Sequence, residues 1–398
     1  MSRATYSASP PAQSKKYITR SKSFVRKKTK KSYFDYSLMF LIIFMLAFGL
    51  LMLYSTSSYN AAIEFGDSTY YLKKQFKSTL LGLAVMFIVA NIDYHKLTWA
   101  GIVGYVTSLI LIALVLSPLG NEVNGARRWI IIGGMSIQPA EVAKLALIML
   151  LALVINNRRQ NIRKLGVTAR IFALCIPPAA EILLITKNMS SALIIVGITF
   201  VMLFVASPKY SHYIIIGAAG VSLIFAYLFL GSGFRSERVD AWMDPESYAS
   251  GKGYQTLQAL YAIGSGGLTG KGLGQSVQKL GYIPEAQNDM IFSIICEELG
   301  LFGGIAVILL FLMMIWRLLV IANNAEDLYG SMIVIGVMAH ISIQVILNIA
   351  VVTNSIPNTG ITLPFISYGG TSVLFLLSEM GLALSVSRGI RLDGPEDL

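Results

Sequence analysis

The sequence predicts an all-α membrane protein: a bundle of ten transmembrane helices with both termini cytoplasmic and a large extracytoplasmic loop between helices seven and eight. Three observations predict it. Of 398 residues, 55% are hydrophobic and 13% charged, about half the charged share of an ordinary soluble domain. Apolar runs close to the roughly 20 residues that cross a bilayer recur along the whole chain. Lys and Arg gather on alternate connectors, as the positive-inside rule requires.

Residues 1–33 are expected to be a disordered basic cytoplasmic tail. The first 34 residues hold ten Lys or Arg and no acid, too charged and too poor in apolar groups to pack. The tail runs into a full-length apolar segment without a small-residue cleavage site, so it reads as an anchor on anionic lipid rather than a signal peptide. It also accounts for most of the net charge of +11, so no nucleic-acid partner is implied. The transmembrane domain covers 34–390, with spans at Phe34–Leu53, Ser78–Ala90, Ala100–Leu116, Val142–Ile155, Ile171–Ile185, Ala192–Ala206, Tyr213–Leu230, Met290–Leu319, Met332–Val352 and Thr371–Val386. Arg158, Arg159, Arg163, Lys164, Lys209, Arg317, Arg388 and Arg391 then face the cytoplasm, while Lys73, Lys74 and Lys77 fall outside against the trend. Residues 391–398 form a short cytoplasmic tail.

The external connectors carry what a span cannot tolerate: Asn124–Lys144, the 231–289 loop and Asn354–Gly370. Gly- and Pro-rich backbone at membrane depth survives only where protein or a wet cavity surrounds it, so an outward-facing cavity is implied. Cys175 and Cys296 lie in apolar runs and build no disulfide or CxxC site. His95, His212 and His340 are scattered singly and hold no zinc motif.

Several residues have the chemistry of a site. The stretch GSGGLTGKGLG fails as a phosphate loop, because Ser265 and Gly272 stand where Gly and Ser or Thr are needed; its glycines suit tight packing or substrate contact. Asp289 enters the eighth span, where a carboxylate either caps the helix or serves as a general base. Glu297 and Glu298 follow about two turns on, and Glu297 is the nearer of the two to the Asp289 face at about 100° per residue, which would allow an inward-facing pair. Glu141 and Lys144, spaced i,i+3, form an ion pair or orient an anionic head group or divalent cation. Arg127 and Arg128 beside Trp129 make either an interfacial belt or a clamp for a lipid-linked phosphate. Arg235, Arg238 and Lys252 add external positive charge, and Lys187 and Asn188 sit in a short external turn.

The segments GARRWI, QPAEVAK, YQTLQALYAIGSGGLTGKGLGQSVQKLGYIPEAQNDMIF, EELG, QVILN and PNTGITLPFISYGGTS, spread over most of residues 33–388, resemble the SEDS family of bacterial cell-wall proteins, the group of FtsW, RodA and SpoVE. The resemblance implies a ten-span fold in the bacterial cytoplasmic membrane and a peptidoglycan glycosyltransferase that polymerises lipid II, the undecaprenyl-pyrophosphate-linked disaccharide-pentapeptide. It also implies a single-pass class B penicillin-binding protein as partner, with other divisome or elongasome membrane proteins. The family's essential aspartate falls on Asp289, and its QPSE-x-x-K element on Gln138, Pro139, Ala140, Glu141 and Lys144. Lys271 and Ser367, inside matching segments, join Gln138, Arg127, Arg128, Glu141, Lys144 and Glu297 as expected substrate contacts. Two positions depart from the pattern: Ala140 replaces Ser, and Asn188 stands where many members carry Asp, which argues against a catalytic acid there.

These readings combine into inverting glycosyl transfer. Asp289 takes the proton from the acceptor C4 hydroxyl, and Arg127, Arg128 and Lys144, with Mg or Mn as an optional cation, meet the charge of the departing pyrophosphate. The rival readings are a lipid II flippase, which should leave an inverted repeat and midplane charges, and a scaffold that only recruits partners.

Overall fold

The computed structural model describes residues 33–123, 126–132, 135–207, 209–210, 213–214, 217–218, 220, 222, 236–251 and 253–390. The two tails, most of the Tyr213–Leu230 span, and His212, Arg235, Lys252 and Arg391 lie outside the described residues.

Twelve α-helices can be followed along the described chain: Tyr36–Phe65 (α1), Tyr70–Asn91 (α2), Thr98–Leu114 (α3), Pro139–Arg158 (α4), Leu165–Phe172 (α5), Ile176–Leu184 (α6), Met189–Ala206 (α7), Ser236–Met243 (α8), Tyr254–Gly266 (α9), Ile291–Asn323 (α10), Leu328–Val352 (α11) and Thr371–Gly389 (α12). Among the described residues, eight helical stretches are long and apolar enough to cross a membrane. Helix α2 is not one of them, because the lysines at 73, 74 and 77 that seemed to precede the second span lie inside it. Helices α5 and α6 form one stretch, Leu165–Leu184, joined through a 3₁₀ turn at Ala173–Cys175 just before Pro177 and Pro178. Proline removes the backbone donor a continuous α-helix would need there.

Local chemistry fixes the helix ends. Asp35 accepts from Leu38 N at 2.9 Å, Asn188 from Ser191 N at 3.1 Å and Asp327 from Gly330 N at 2.8 Å, each satisfying a first-turn amide. Asp35 also meets Arg317 at 2.6 Å, which pins the start of α1 to the C-terminal half of α10. Pro139 opens α4 at a position where a missing N–H is harmless. Helix α11 is the central post, packed on α4, α7 and α10, and α12 lies along α2.

The all-α expectation needs one correction. Strands Gly120–Val123 (β1), Ala126–Ile132 (β2) and Met135–Ile137 (β3) form a three-stranded antiparallel sheet in the connector between α3 and α4. The sequence carries the signal: two-residue Asn-Gly and Gly-Gly interruptions separate short runs rich in β-branched residues, the pattern of tight hairpins.

The second feature is a break in α10. Gly300 has φ 68° and ψ −167° inside an otherwise helical run. The glycine-rich segment after α9 fills the gap: Lys271 N and Gly272 N donate to the carbonyls of Glu297 and Glu298 at 3.0 and 2.9 Å, and Leu301 N and Phe302 N donate to Gly267 O and Leu268 O at 2.9 and 3.2 Å. Irregular backbone within a span is tolerated because protein partners replace the lost helical bonds.

Candidate functional site

Asp289 lies one residue before the Met290 N-cap position of α10, where no side-chain cap bond forms. Its carboxylate therefore does not cap the helix, which removes the structural alternative raised by the sequence. It is 8% exposed, and no Lys or Arg pairs with it among the described residues. Oδ1 accepts from Gln255 Nε2 at 3.4 Å. Its backbone carbonyl accepts from Asn348 Nδ2 at 2.8 Å, and the same amide group reaches Ile361 O at 2.6 Å. A Cβ on Gly360 would sit 3.9 Å from Oδ2, so the bare backbone of the 354–370 connector faces the carboxylate. Burial, with the nearby Glu285 carboxylate adding to it, pushes the Asp289 carboxyl up to about 7.

The 354–370 connector is the hub of the end of the bundle that holds Asp289. Tyr368 N donates to Gln287 O at 2.9 Å, Ser190 Oγ at the start of α7 donates to Thr359 O at 2.7 Å, and Thr371 Oγ1 donates to Ser136 O of β3 at 2.6 Å. Gln75 Oε1 accepts from Gly369 N and Gly370 N at 3.3 and 3.2 Å. The loop that carries Asp289, α2 and α7 are thus tied to one segment, and the sheet to Thr371, the first residue of α12 after it. Ser367 is buried here, its Oγ accepting from Leu363 N at 2.8 Å to close a turn.

The remaining sequence-flagged residues divide into separate groups. Glu141 and Lys144 pair at 2.8 Å and are both buried at the head of α4; Gln138 precedes them at the N-cap without a side-chain cap bond. Arg127 and Arg128 share a strand, where successive side chains point to opposite faces, and they have different partners. Arg127 reaches Glu122 at 3.4 Å, with about half of each side chain exposed. Arg128 donates to Thr186 O and Lys187 O at 3.3 and 3.4 Å. Glu297 turns away from Asp289 to receive Lys271 at 2.6 Å, Ser276 Oγ, and the amides of Val277 and Gln278. Glu298 binds Lys279 at 2.8 Å and Ser55 at 2.7 Å. These two carboxylates lock the glycine-rich segment onto α10. Of the histidines, His95 bridges Asp93 and Asp327 at 2.8 and 2.9 Å, and His340 pairs with Glu379 at 2.8 Å inside the bundle. Among the described residues no three His, Cys, Asp or Glu gather as a metal site.

Sequence reasoning missed Gln255, Asn348 and Asn358 as individual positions. Carboxamides inside an otherwise matching segment give no local signal, and their contacts with Asp289 and with each other span up to 103 residues.

The FtsW/RodA/SpoVE family, described as cell cycle proteins, matches residues 36–391. Stage V sporulation protein E of Bacillus subtilis (strain 168) is 40% identical over 362 residues, covering 90% of this chain and 98% of that protein. The probable peptidoglycan glycosyltransferase FtsW of Trichlorobacter lovleyi is 38% identical over 371 residues, covering 92% and 97%. Among solved structures, a chain from a peptidoglycan synthase complex that coordinates polymerization and crosslinking superposes with a TM-score of 0.76 at 28% identity, covering 90% of this chain and 99% of that one. The rod shape determining protein RodA of Thermus thermophilus gives 0.66 at 28% identity, covering 90% and 98%.

Proposed function

This chain belongs to the FtsW/RodA/SpoVE family, and we propose that it is a peptidoglycan glycosyltransferase that polymerises lipid II at the outer face of the bacterial cytoplasmic membrane. The observation that carries the reading is Asp289: a buried carboxylate with no cation partner among the described residues, held by amides and raised to about 7. A group of that pKa is half ionised at neutral pH and can both take and release a proton. In the step proposed, Asp289 accepts the proton of the acceptor sugar's C4 hydroxyl while that oxygen bonds to the anomeric carbon of the donor. The bond from that carbon to the pyrophosphate oxygen breaks, and the polyprenyl pyrophosphate leaves.

The developing negative charge calls for cations. Arg127, exposed and held by a long ion pair, is placed best to exchange Glu122 for phosphate. Arg128 also orients the 186–187 turn, and Lys144 acts from within its pair with Glu141. Gln138, Ser367, Lys271 and Glu297 complete the proposed substrate-side set, the last two by holding the glycine-rich segment in place. Mg or Mn stays an optional further cation in this reading; among the described residues Glu141 is engaged by Lys144, and Arg127, Arg128 and Lys144 are the protein cations proposed for the charge balance.

The topology proposed for this activity has ten spans and cytoplasmic termini: the eight apolar stretches, α2, and the segment Tyr213–Leu230. The likeness to a chain of a synthase complex supports a class B penicillin-binding protein as the crosslinking partner. The test is Asp289→Asn, purified and assayed on lipid II with and without that partner. Loss of the base should lower the polymerisation rate by roughly 10²–10⁴-fold; a folded variant that makes glycan at the wild-type rate would remove Asp289 from the mechanism.

A further inference from the structure

Three chain segments converge on the Asp289 carboxylate through a directional chain of hydrogen bonds. It begins at a backbone donor, Gly360 N–H, which donates to Asn358 Oδ1 at 3.1 Å. Because the Asn358 oxygen is engaged there, its Nδ2 points the other way and donates to Gln255 Oε1 at 2.8 Å. That contact in turn fixes the end-for-end orientation of the Gln255 amide. Its Nε2 faces two acceptors, Pro284 O at 3.1 Å and Asp289 Oδ1 at 3.4 Å. Each amide is set by its neighbour, since a reversed carboxamide would put oxygen against oxygen.

From this chain we infer that Gln255 is a positioning residue for the base and that Asn358 sets its polarity, so that the placement of the 358–360 loop governs both the aim and the protonation of Asp289. The inference rests on the reading of Asp289 as the base. A donor on the carboxylate favours its charged form, whereas burial and the facing Glu285 disfavour it. Among the described residues, Glu285 is the titratable group acting on this carboxylate. Losing the Gln255 donor should leave the base protonated to higher pH.

The experiment is the pH profile of glycan polymerisation by the full-length protein with lipid II. Gln255→Leu removes the donor and keeps the approximate shape. Asn358→Leu removes the relay's donor without adding a charge and frees the Gln255 amide to turn over and present its oxygen to Asp289. Both variants should move the acidic limb of the profile upward by about 0.7 pH unit. Activity should then fall about threefold at pH 7 and recover to near the wild-type plateau at pH 9, with an unchanged KM. A merely structural role lowers activity at every pH without moving the limb, and that result would overturn the inference. If Gln255→Leu fails to fold, Asn358→Leu at a half-buried loop position decides alone. An unmoved limb while Asp289→Asn is inactive removes the relay and leaves the base; an active Asp289→Asn removes the base itself.

Discussion

Replacing Gly300 with Ala tests the idea that the broken helix and the glycine-rich segment form one interlocked unit. A Cβ at this position would lie 2.4 Å from both Gly270 N and Leu268 O, whereas ordinary contact needs about 3.4 Å or more. The backbone there has φ 68° and ψ −167°, a region close to glycine-only, where another residue costs of order 1–3 kcal/mol. Relieving the clash means moving α10 and the glycine-rich segment apart by about 1 Å, which stretches the four backbone hydrogen bonds that cross the break. At roughly 1 kcal/mol for each bond weakened, and more where a group is left unsatisfied away from water, the substitution should destabilise by about 3–6 kcal/mol. The assay is thermal unfolding of the purified protein in detergent, with Gly264→Ala as control. Gly264 lies in α9 with nothing within 4 Å of an added Cβ, so alanine there should be neutral or stabilise by about 0.5–1 kcal/mol. Gly300→Ala should lower the midpoint by more than about 5 °C. A Gly300→Ala protein that melts with the wild type would refute the interlocked geometry.

Two further outcomes follow from buried charge. The Asp289 carboxyl titrates at about 7 in the fold against an ordinary 3.8, so the folded state binds the extra proton and ionisation destabilises it. The stability penalty is absent below about pH 4, grows up to about pH 7 and is level above; Asp289→Asn should therefore melt higher than wild type at pH 8, with the gap shrinking toward pH 4 in parallel melts. Polymerisation should likewise fall about tenfold per unit below pH 7. Lys279→Met leaves the fully buried Glu298 without its cation and should cost about 3–5 kcal/mol, while Lys279→Met with Glu298→Gln should recover much of it, as unfolding of the two proteins side by side would show.

The positions of the long spans were legible because apolar length is a property of local sequence: α10, α11 and α12 appear close to where the runs place them, whereas α1 continues past the expected Leu53 to Phe65. Helix α2 was read short because its first turns carry Lys73, Lys74 and Lys77, and its partner is α12 rather than lipid alone. The sheet was legible in principle from its Asn-Gly and Gly-Gly spacing, yet runs of 3–7 residues are weak against a background of apolar helices. At the site, Asp289 stood out as an ionisable group at a membrane boundary, but whether it caps the helix depended on where α10 begins, a matter of one residue. The fates of Glu297 and Glu298 were hidden, because helical periodicity gives a direction and not a partner: both bind lysines of the preceding loop. Gln255 and Asn358 became visible only when the fold brought α9 against the 354–370 connector.

The lock between the glycine-rich segment and α10 bears on how the chain enters the membrane during synthesis. A charged residue in an inserting helix is opposed, by roughly 2.5–3.5 kcal/mol at the helix centre and less toward its ends, and this span carries two adjacent carboxylates about two turns from its N-terminal end. Their cations precede them, Lys271 by 26 residues and Lys279 by 19, so both lysines have emerged from the ribosome before either glutamate. The span can therefore partition into lipid already neutralised, with its neighbouring loop folded against it as an internal chaperone for the two acids.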